Sequence, residues 1–235
     1  RQRWGYKRGK QDAAKFLKYE EDVVEPTYQT LKAELLDKNI FEPIAIYAYY
    51  PCISWDNKIY IFDKKYLFNS LEEAKNVPPL SEAIKVLEFP RQKRKPFRCI
   101  ADFFANDRLD VIAFTLASAG LKISDYERSL YDKGEFTKYY QVHGLGVELA
   151  EALAEVLHKQ IRLDLDIVPK EGHTLNDVQM KQYVGCRYSP GYAACPDLAM
   201  NRDIFDLLNP EEFGIELSET FQMHPEQTTC AIVVT

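Results

Sequence analysis

Residues 44–62, IAIYAYYPCISWDNKIYIF, decide the fold class. Ile44–Tyr50 is an apolar and aromatic run of strand length, ended by Pro51, and suits a buried strand. Ile59–Phe62 is a second such run, and Asp56-Asn57 between them supplies turn chemistry. Two runs with so short a link predict a β-hairpin, and therefore antiparallel pairing. Downstream, Phe97–Phe104 reads as a strand and Val111–Ala119 as a buried strand closed by Gly120. Ile161–Val168 alternates apolar with charged residues, as a half-exposed strand would. Ile215–Thr220 and Thr229–Val234 read as the last strands.

Helical pattern fills the gaps irregularly. Residues 11–38 are rich in Lys, Glu, Ala and Leu, with Pro26 placed as at a helix start. Residues 78–96 carry four prolines and the basic run Arg91–Lys95, predicting a loop with one helical piece at Leu80–Leu87. Ile123–His158 predicts a long helix broken near Gly144, and Met200–Leu208 a shorter one. There is no regular βαβ alternation, and no G-x-G-x-x-G follows a strand. The expected fold is α+β, with a twisted, mainly antiparallel sheet flanked by helices.

Composition narrows the function. The 235 residues are 46% hydrophobic and 28% charged, ordinary for a soluble globular protein, and long enough to bury a core without staples. A formal charge of −6 argues against nucleic acid as a main partner. No apolar run reaches the roughly 18 residues of a membrane span, and no signal peptide opens the chain. The five cysteines are scattered without a C-x-x-C pair, which argues against a disulfide framework or a structural zinc site and for reduced thiols in a cytoplasmic protein. The first residue is Arg1, so the expectation is a fragment of a longer enzyme, with residues 1–235 as one domain of it.

The chemistry concentrates in residues 183–197, YVGCRYSPGYAACPD. Pro190-Gly191 predicts a tight turn, and Gly191 lets backbone approach a ligand. Arg187 offers a planar fork for a carboxylate or phosphate, while Tyr188 and Tyr192 offer ring faces and hydroxyls. On the helix at 143–158, Val142, Leu145, Leu149, Leu153, Val156 and Leu157 form an apolar face. Glu148, Glu151 and Glu155 lie opposite, by themselves a solvated acidic face.

These residues resemble one family. Arg187, Pro190, Gly191, Tyr192, Ala194, Cys195, Pro196 and Asp197 fit the pattern R-x-x-P-G-Y-x-A-C-P plus an acidic residue, the signature loop of the C-terminal activation domain of cobalamin-dependent methionine synthase. The helix HGLGVELAEALAEVLH, Ala101-Asp102-Phe103, the opening Trp4-Gly5-Tyr6 and Ser218, Glu219, Phe221, Met223 and Pro225 also resemble it.

The resemblance implies a single C-shaped domain that binds S-adenosylmethionine (AdoMet). It implies Arg187 on the ligand's carboxylate, Asp102 on its ammonium and Glu151 as acidic potential on the other wall. The loop backbone at Tyr188, Ser189, Pro190 and Gly191 would hydrogen-bond the adenine or ribose, with Tyr192 on the loop facing the corrin. Glu148 and Glu155 stay with the solvated face. The implied role is reductive methylation of cob(II)alamin to methylcobalamin, with AdoMet as methyl donor and flavodoxin or another reductase as electron donor. No general base is needed, and no residue of this chain is assigned as catalytic. The implied partner is the cobalamin-binding domain of the same enzyme; cobalamin is held there, and zinc only in the parent's substrate module. The alternative is a freestanding reactivation partner of another corrinoid protein.

Two departures stand out. Lys181 occupies a place where some members have an acidic ligand contact, and the family's later H-P-x-x-x-Y segment lies beyond Thr235. The basic run at 91–95 reads as a solvated loop, with docking of an acidic flavodoxin as the sharper option. His143, His158, His173 and His224 are dispersed and read as structural or solvated.

Overall fold

The computed structural model describes residues 2–167 and 183–234. Six strands form one sheet: β1 (Ile44–Trp55), β2 (Lys58–Ile61), β3 (Lys85–Glu88), β4 (Asp110–Ser118), β5 (Cys186–Tyr188) and β8 (Thr228–Val234). Their order is β3-β2-β1-β4-β8-β5, and every neighbouring pair is antiparallel. Two short strands, β6 (Glu216–Leu217) and β7 (Met223–His224), pair separately. The α+β expectation with an antiparallel sheet holds, and the hairpin turns at Asp56 as read.

The helices are α1 (Ala13–Tyr19), α2 (Glu25–Asp37), the single turn α3 (Leu71–Ala74), α4 (Leu121–Asp132), α5 (Phe136–Asp164) and α6 (Met200–Leu208). A π-helical turn, Glu20–Val24, joins α1 to α2. Among the described residues no helix is long and apolar enough to cross a membrane.

Strand alternation sorts the core into two faces. Ile112, Phe114 and Leu116 of β4 point with Tyr50, Cys52 and Ile232 toward Ile204, Phe205 and Leu208 of α6. The Tyr50 hydroxyl, 2.6 Å from the Leu207 carbonyl, ties that helix down. The opposite face is built of small residues. Ala113 and Val233 meet Ile161 of α5, and Ala117 meets Ala154 and Leu157. Ala113 and Ala117 on the sheet and Ala154 on the helix let α5 lie close to the sheet.

Close packing around α5 explains several differences from the sequence expectations. α5 runs unbroken through Gly144. A Cβ at Gly144 would lie 2.9 Å from the Trp4 ring, and one at Gly146 2.5 Å from Ile123 Cδ1, so both glycines make room. The helix break sits at Gly134, whose φ of 76° ends α4. There the Gly134 and Glu135 amides donate to the Tyr131 and Leu130 carbonyls, a Schellman arrangement. Ile161–Asp164 is the end of α5, not a strand, because Leu157, Ile161 and Leu165 recur at helical spacing against the sheet. Val156 is exposed, while Leu145 and Leu149 pack toward Leu31 and Leu35 of α2.

Three further expectations are corrected. β1 continues through Pro51: its carbonyl accepts from the Phe62 amide, so its nitrogen faces that same side, where β2 has ended, and the β4 ladder loses no donor. Leu80–Leu87 is a 3-10 turn followed by edge strand β3, which buries Leu87 and exposes Val86. Phe97–Phe104 is no strand, since a 3-10 turn at Ile100–Phe103 buries the consecutive residues Ile100 and Ala101.

Candidate functional site at the edge of the sheet

β5 ends the sheet and pairs with β8 alone, placing Arg187 opposite Val233 and Tyr188 opposite Ile232. Alternation sends these neighbours to different faces. Arg187 turns toward α5, and Tyr188 packs against the core shared with α6.

On the α5 side, Arg187 Nη2 donates to Glu155 Oε1 at 2.7 Å. Its Nη1 is buried and, among the described residues, meets no acceptor. The Tyr183 hydroxyl donates to the other oxygen of Glu155 at 3.1 Å. The Arg162 guanidinium lies 4.1 Å from the Tyr183 ring centroid, and His158 meets that ring edge-on at 5.2 Å. Burial, followed by the charges of Arg162 and Arg187, pushes His158 down to about 3. Its ring is therefore neutral at physiological pH, and among the described residues neither ring nitrogen has a hydrogen-bond partner. Burial also lowers the pKa of Arg162, opposed by Tyr183 and Glu155.

The loop after β5 turns back on itself. Gly191 adopts φ 88°, its amide donates to the Cys195 carbonyl at 2.8 Å, and the Cys195 amide returns a 2.9 Å bond to Tyr192. Pro190 is buried, Ser189 half-buried and Tyr192 72% exposed, so its ring is presented outward. Burial pushes the Cys195 thiol up to about 11, which keeps it protonated.

On the other side of β5 a cleft of about 500 Å³ is walled by Tyr188, Ala194 and Pro196 and faced by Arg91, Arg98 and Phe103. Asp102 lies beside it, in a neighbouring hollow shared with Arg91 and Trp55. Arg91 grips Asp102 with both Nη nitrogens, each at 2.7 Å, and the Cys99 amide adds a 2.8 Å bond. Arg91, with the Cys99 amide, holds the Asp102 carboxyl below its usual range against the opposing effect of burial.

Of the expected residues, the structure thus brings the loop and Tyr188 against the segment around Asp102, and Arg187 against α5. Glu151 is exposed, one turn before Glu155. Glu155 corrects the expectation of a solvated face: it is the carboxylate that Arg187 holds. Tyr183, Arg162 and Arg91 were also unassigned from sequence. Spacing offered a signal for Glu155, four residues after Glu151 on one helical stripe. Lys181 and His173 lie outside the described residues.

Size does not mark this site. A larger hollow, about 890 Å³, lies between α2 and α5, walled by Trp4, Tyr28, Leu36 and Leu149, and holds none of the expected residues. Among the described residues no three His, Cys, Asp or Glu side chains converge as metal ligands.

Residues 5–235 match the family model of the vitamin B12 dependent methionine synthase activation domain. The chain belongs to that family. As an activation domain it is 37% identical over 202 residues to the methionine synthase of Mycobacterium tuberculosis and, over the same length, to that of Mycobacterium leprae. Each match takes in 80% of this chain and 16% of the relative, so the chain spans a small part of those proteins. A crystal structure of the MetH reactivation domain bound to AdoHcy has the same fold, with TM-score 0.77 and 24% identity, over 92% of this chain and 68% of that one. The family match covers nearly the whole chain, β5 and its loop included.

Proposed function

We propose that this domain binds AdoMet along the β5 edge and serves the reactivation of a cobalamin-dependent methionine synthase. One observation carries the reading: Arg187 Nη1 is a buried cationic donor with no acceptor, at the root of the loop that bears the family signature. A buried donor left unmade is expensive, so a ligand oxygen there is strongly favoured. The AdoMet carboxylate supplies one. Its ammonium, on the same carbon, can meet Asp102 only around the open edge of β5, the last strand of the sheet, and Asp102 must then share its oxygens with Arg91. Glu151 adds negative potential toward the sulfonium. Tyr188, Ser189, Pro190 and Gly191 give backbone contacts to the adenosyl group, and exposed Tyr192 faces the corrin.

Reactivation in this reading is reductive methylation of cob(II)alamin to methylcobalamin. Cobalamin, held on a separate domain of the same enzyme, supplies the nucleophilic metal. One electron comes from flavodoxin or a similar reductase, the methyl group comes from the sulfonium, and AdoHcy leaves as the neutral thioether. This chain's residues fix the sulfonium and exclude competing geometries; no side chain here has to move a proton. Zinc belongs to the parent's substrate module.

Calorimetry with AdoHcy and AdoMet tests the binding. Wild-type chain should take up both, and Arg187→Ala should lose about 10- to 100-fold, the weight of a charge-assisted bond of roughly 1.5–3 kcal/mol. Equal affinity in Arg187→Ala would remove Arg187 from the site. The reactivation reading is tested in the parent enzyme, where Arg187→Ala should slow recovery from the inactive cobalamin state without changing primary turnover.

A further inference from the structure

Arg187 is long, flexible and bordered by two basic side chains. Arg162 and His158 are each 1% exposed on the same stretch of α5, and neither accepts a hydrogen bond from Arg187. Left to itself, a guanidinium in that setting would turn away toward water. It does not, because Glu155 holds Nη2 at 2.7 Å. Glu155 is in turn fixed through its second oxygen by Tyr183. Tyr183 is fixed by the Arg162 guanidinium over its face and by His158 at its edge. The result is a chain of contacts that ends with one arm of the Arg187 fork occupied and the other, Nη1, buried and open.

We propose that Glu155 is a positioning residue, which, braced by Tyr183 and Arg162, presents Arg187 Nη1 to the carboxylate of the bound ligand. This inference rests on the AdoMet reading above and adds a residue and a specificity to it. A carboxylate at Glu155 uses one arm of the fork and leaves the other in a fixed direction, so selectivity for an α-carboxylate is set on α5, outside the signature loop. Preorganisation of this kind acts on affinity by sparing the ligand the ordering of a long side chain.

Binding of two ligands that differ only in the carboxylate tests it: AdoMet and decarboxylated AdoMet, each titrated into wild type, Glu155→Gln and Glu155→Ala. The Gln amide oxygen can still accept from Arg187, so Glu155→Gln should keep AdoMet affinity within about threefold. Glu155→Ala should lose about tenfold for AdoMet and change little for the decarboxylated ligand. Rescue by Gln, and loss confined to the carboxylate-bearing ligand, is the signature of positioning. Equal losses for both ligands in Glu155→Ala would reduce Glu155 to a structural role. Tighter AdoMet binding in Glu155→Gln and Glu155→Ala alike would make it a competitor for Arg187, and either result overturns the inference while leaving the AdoMet site standing. Wild type that binds neither ligand overturns the AdoMet reading itself, and the inference with it. Thermal unfolding of each variant separates misfolding from lost affinity; should Glu155→Ala fail to fold, Tyr183→Phe takes its place, with a smaller loss expected for AdoMet alone.

Discussion

Arg91 and Asp102 form a closed bidentate pair, with both guanidinium Nη nitrogens 2.7 Å from the two carboxylate oxygens. Arg91 also reaches Asn57 and the Phe97 carbonyl, so the pair fastens the loop before β4 to the β1–β2 hairpin. A ligand ammonium at Asp102 has to share the carboxylate with this internal cation. Replacing Arg91 by Gln should therefore tighten AdoMet binding several-fold at low salt, while lowering thermal stability. Calorimetry and a melting curve on one sample read both. Unchanged or weaker binding would mean that Arg91 builds the wall of the site and that Asp102 is no ammonium partner.

Gly191 has φ 88°, and a Cβ there would lie 3.2 Å from Leu198 Cδ1. An L side chain in that region of backbone space costs about 1–2 kcal/mol. Gly191→Ala should lower stability by about that amount and weaken AdoMet binding, because the turn that aligns Tyr188–Tyr192 must shift. Chemical denaturation checks the first effect and calorimetry the second. Full affinity with reduced stability would show that the turn's exact path is not used by the ligand.

Much of this was legible in the sequence, and the misses share a cause. β4 and β8, covered on both faces, read as continuous apolar runs, and α6 buries a single stripe, so each leaves a plain mark in the residues. α5 does not behave that way. It packs against the sheet with Ala154, Leu157 and Ile161 and against α2 with Leu145 and Leu149, so its apolar residues do not form one stripe. Gly144 then looks like a break when it is a contact. At the site, the loop was readable because many special residues fall close together. Glu155, Tyr183 and Arg91 were not, because each acts through a partner distant in sequence or on another element: Arg187 is 32 residues from Glu155.

Gly146 tests the reading of α5. Alanine there would gain helix propensity of about 1 kcal/mol. Its Cβ would fall 2.5 Å from Ile123 Cδ1 and 2.8 Å from Gln227 Cγ, both on buried residues. Overpacking of this kind costs roughly 1–3 kcal/mol, so it wins over propensity. Gly146→Ala should lose about 1 kcal/mol in a urea titration. A gain would mean that α5 and α4 separate easily.

His158 gives the acid side of the stability profile. Its folded pKa of about 3 lies below the ordinary value of 6.5, because burial and the charges of Arg162 and Arg187 oppose a proton. The unfolded chain then binds more protons between these values, so stability falls as pH drops from 6.5 toward 3. At pH 4 the loss from this one group is at most about 3 kcal/mol. His158→Leu, similar in volume, removes the titration and should flatten the slope between pH 6.5 and 4 relative to wild type. Denaturant unfolding at four or five pH values measures it. Parallel profiles for the two proteins would mean that the His158 ring reaches water on protonation and that the packing around Tyr183 opens to admit it.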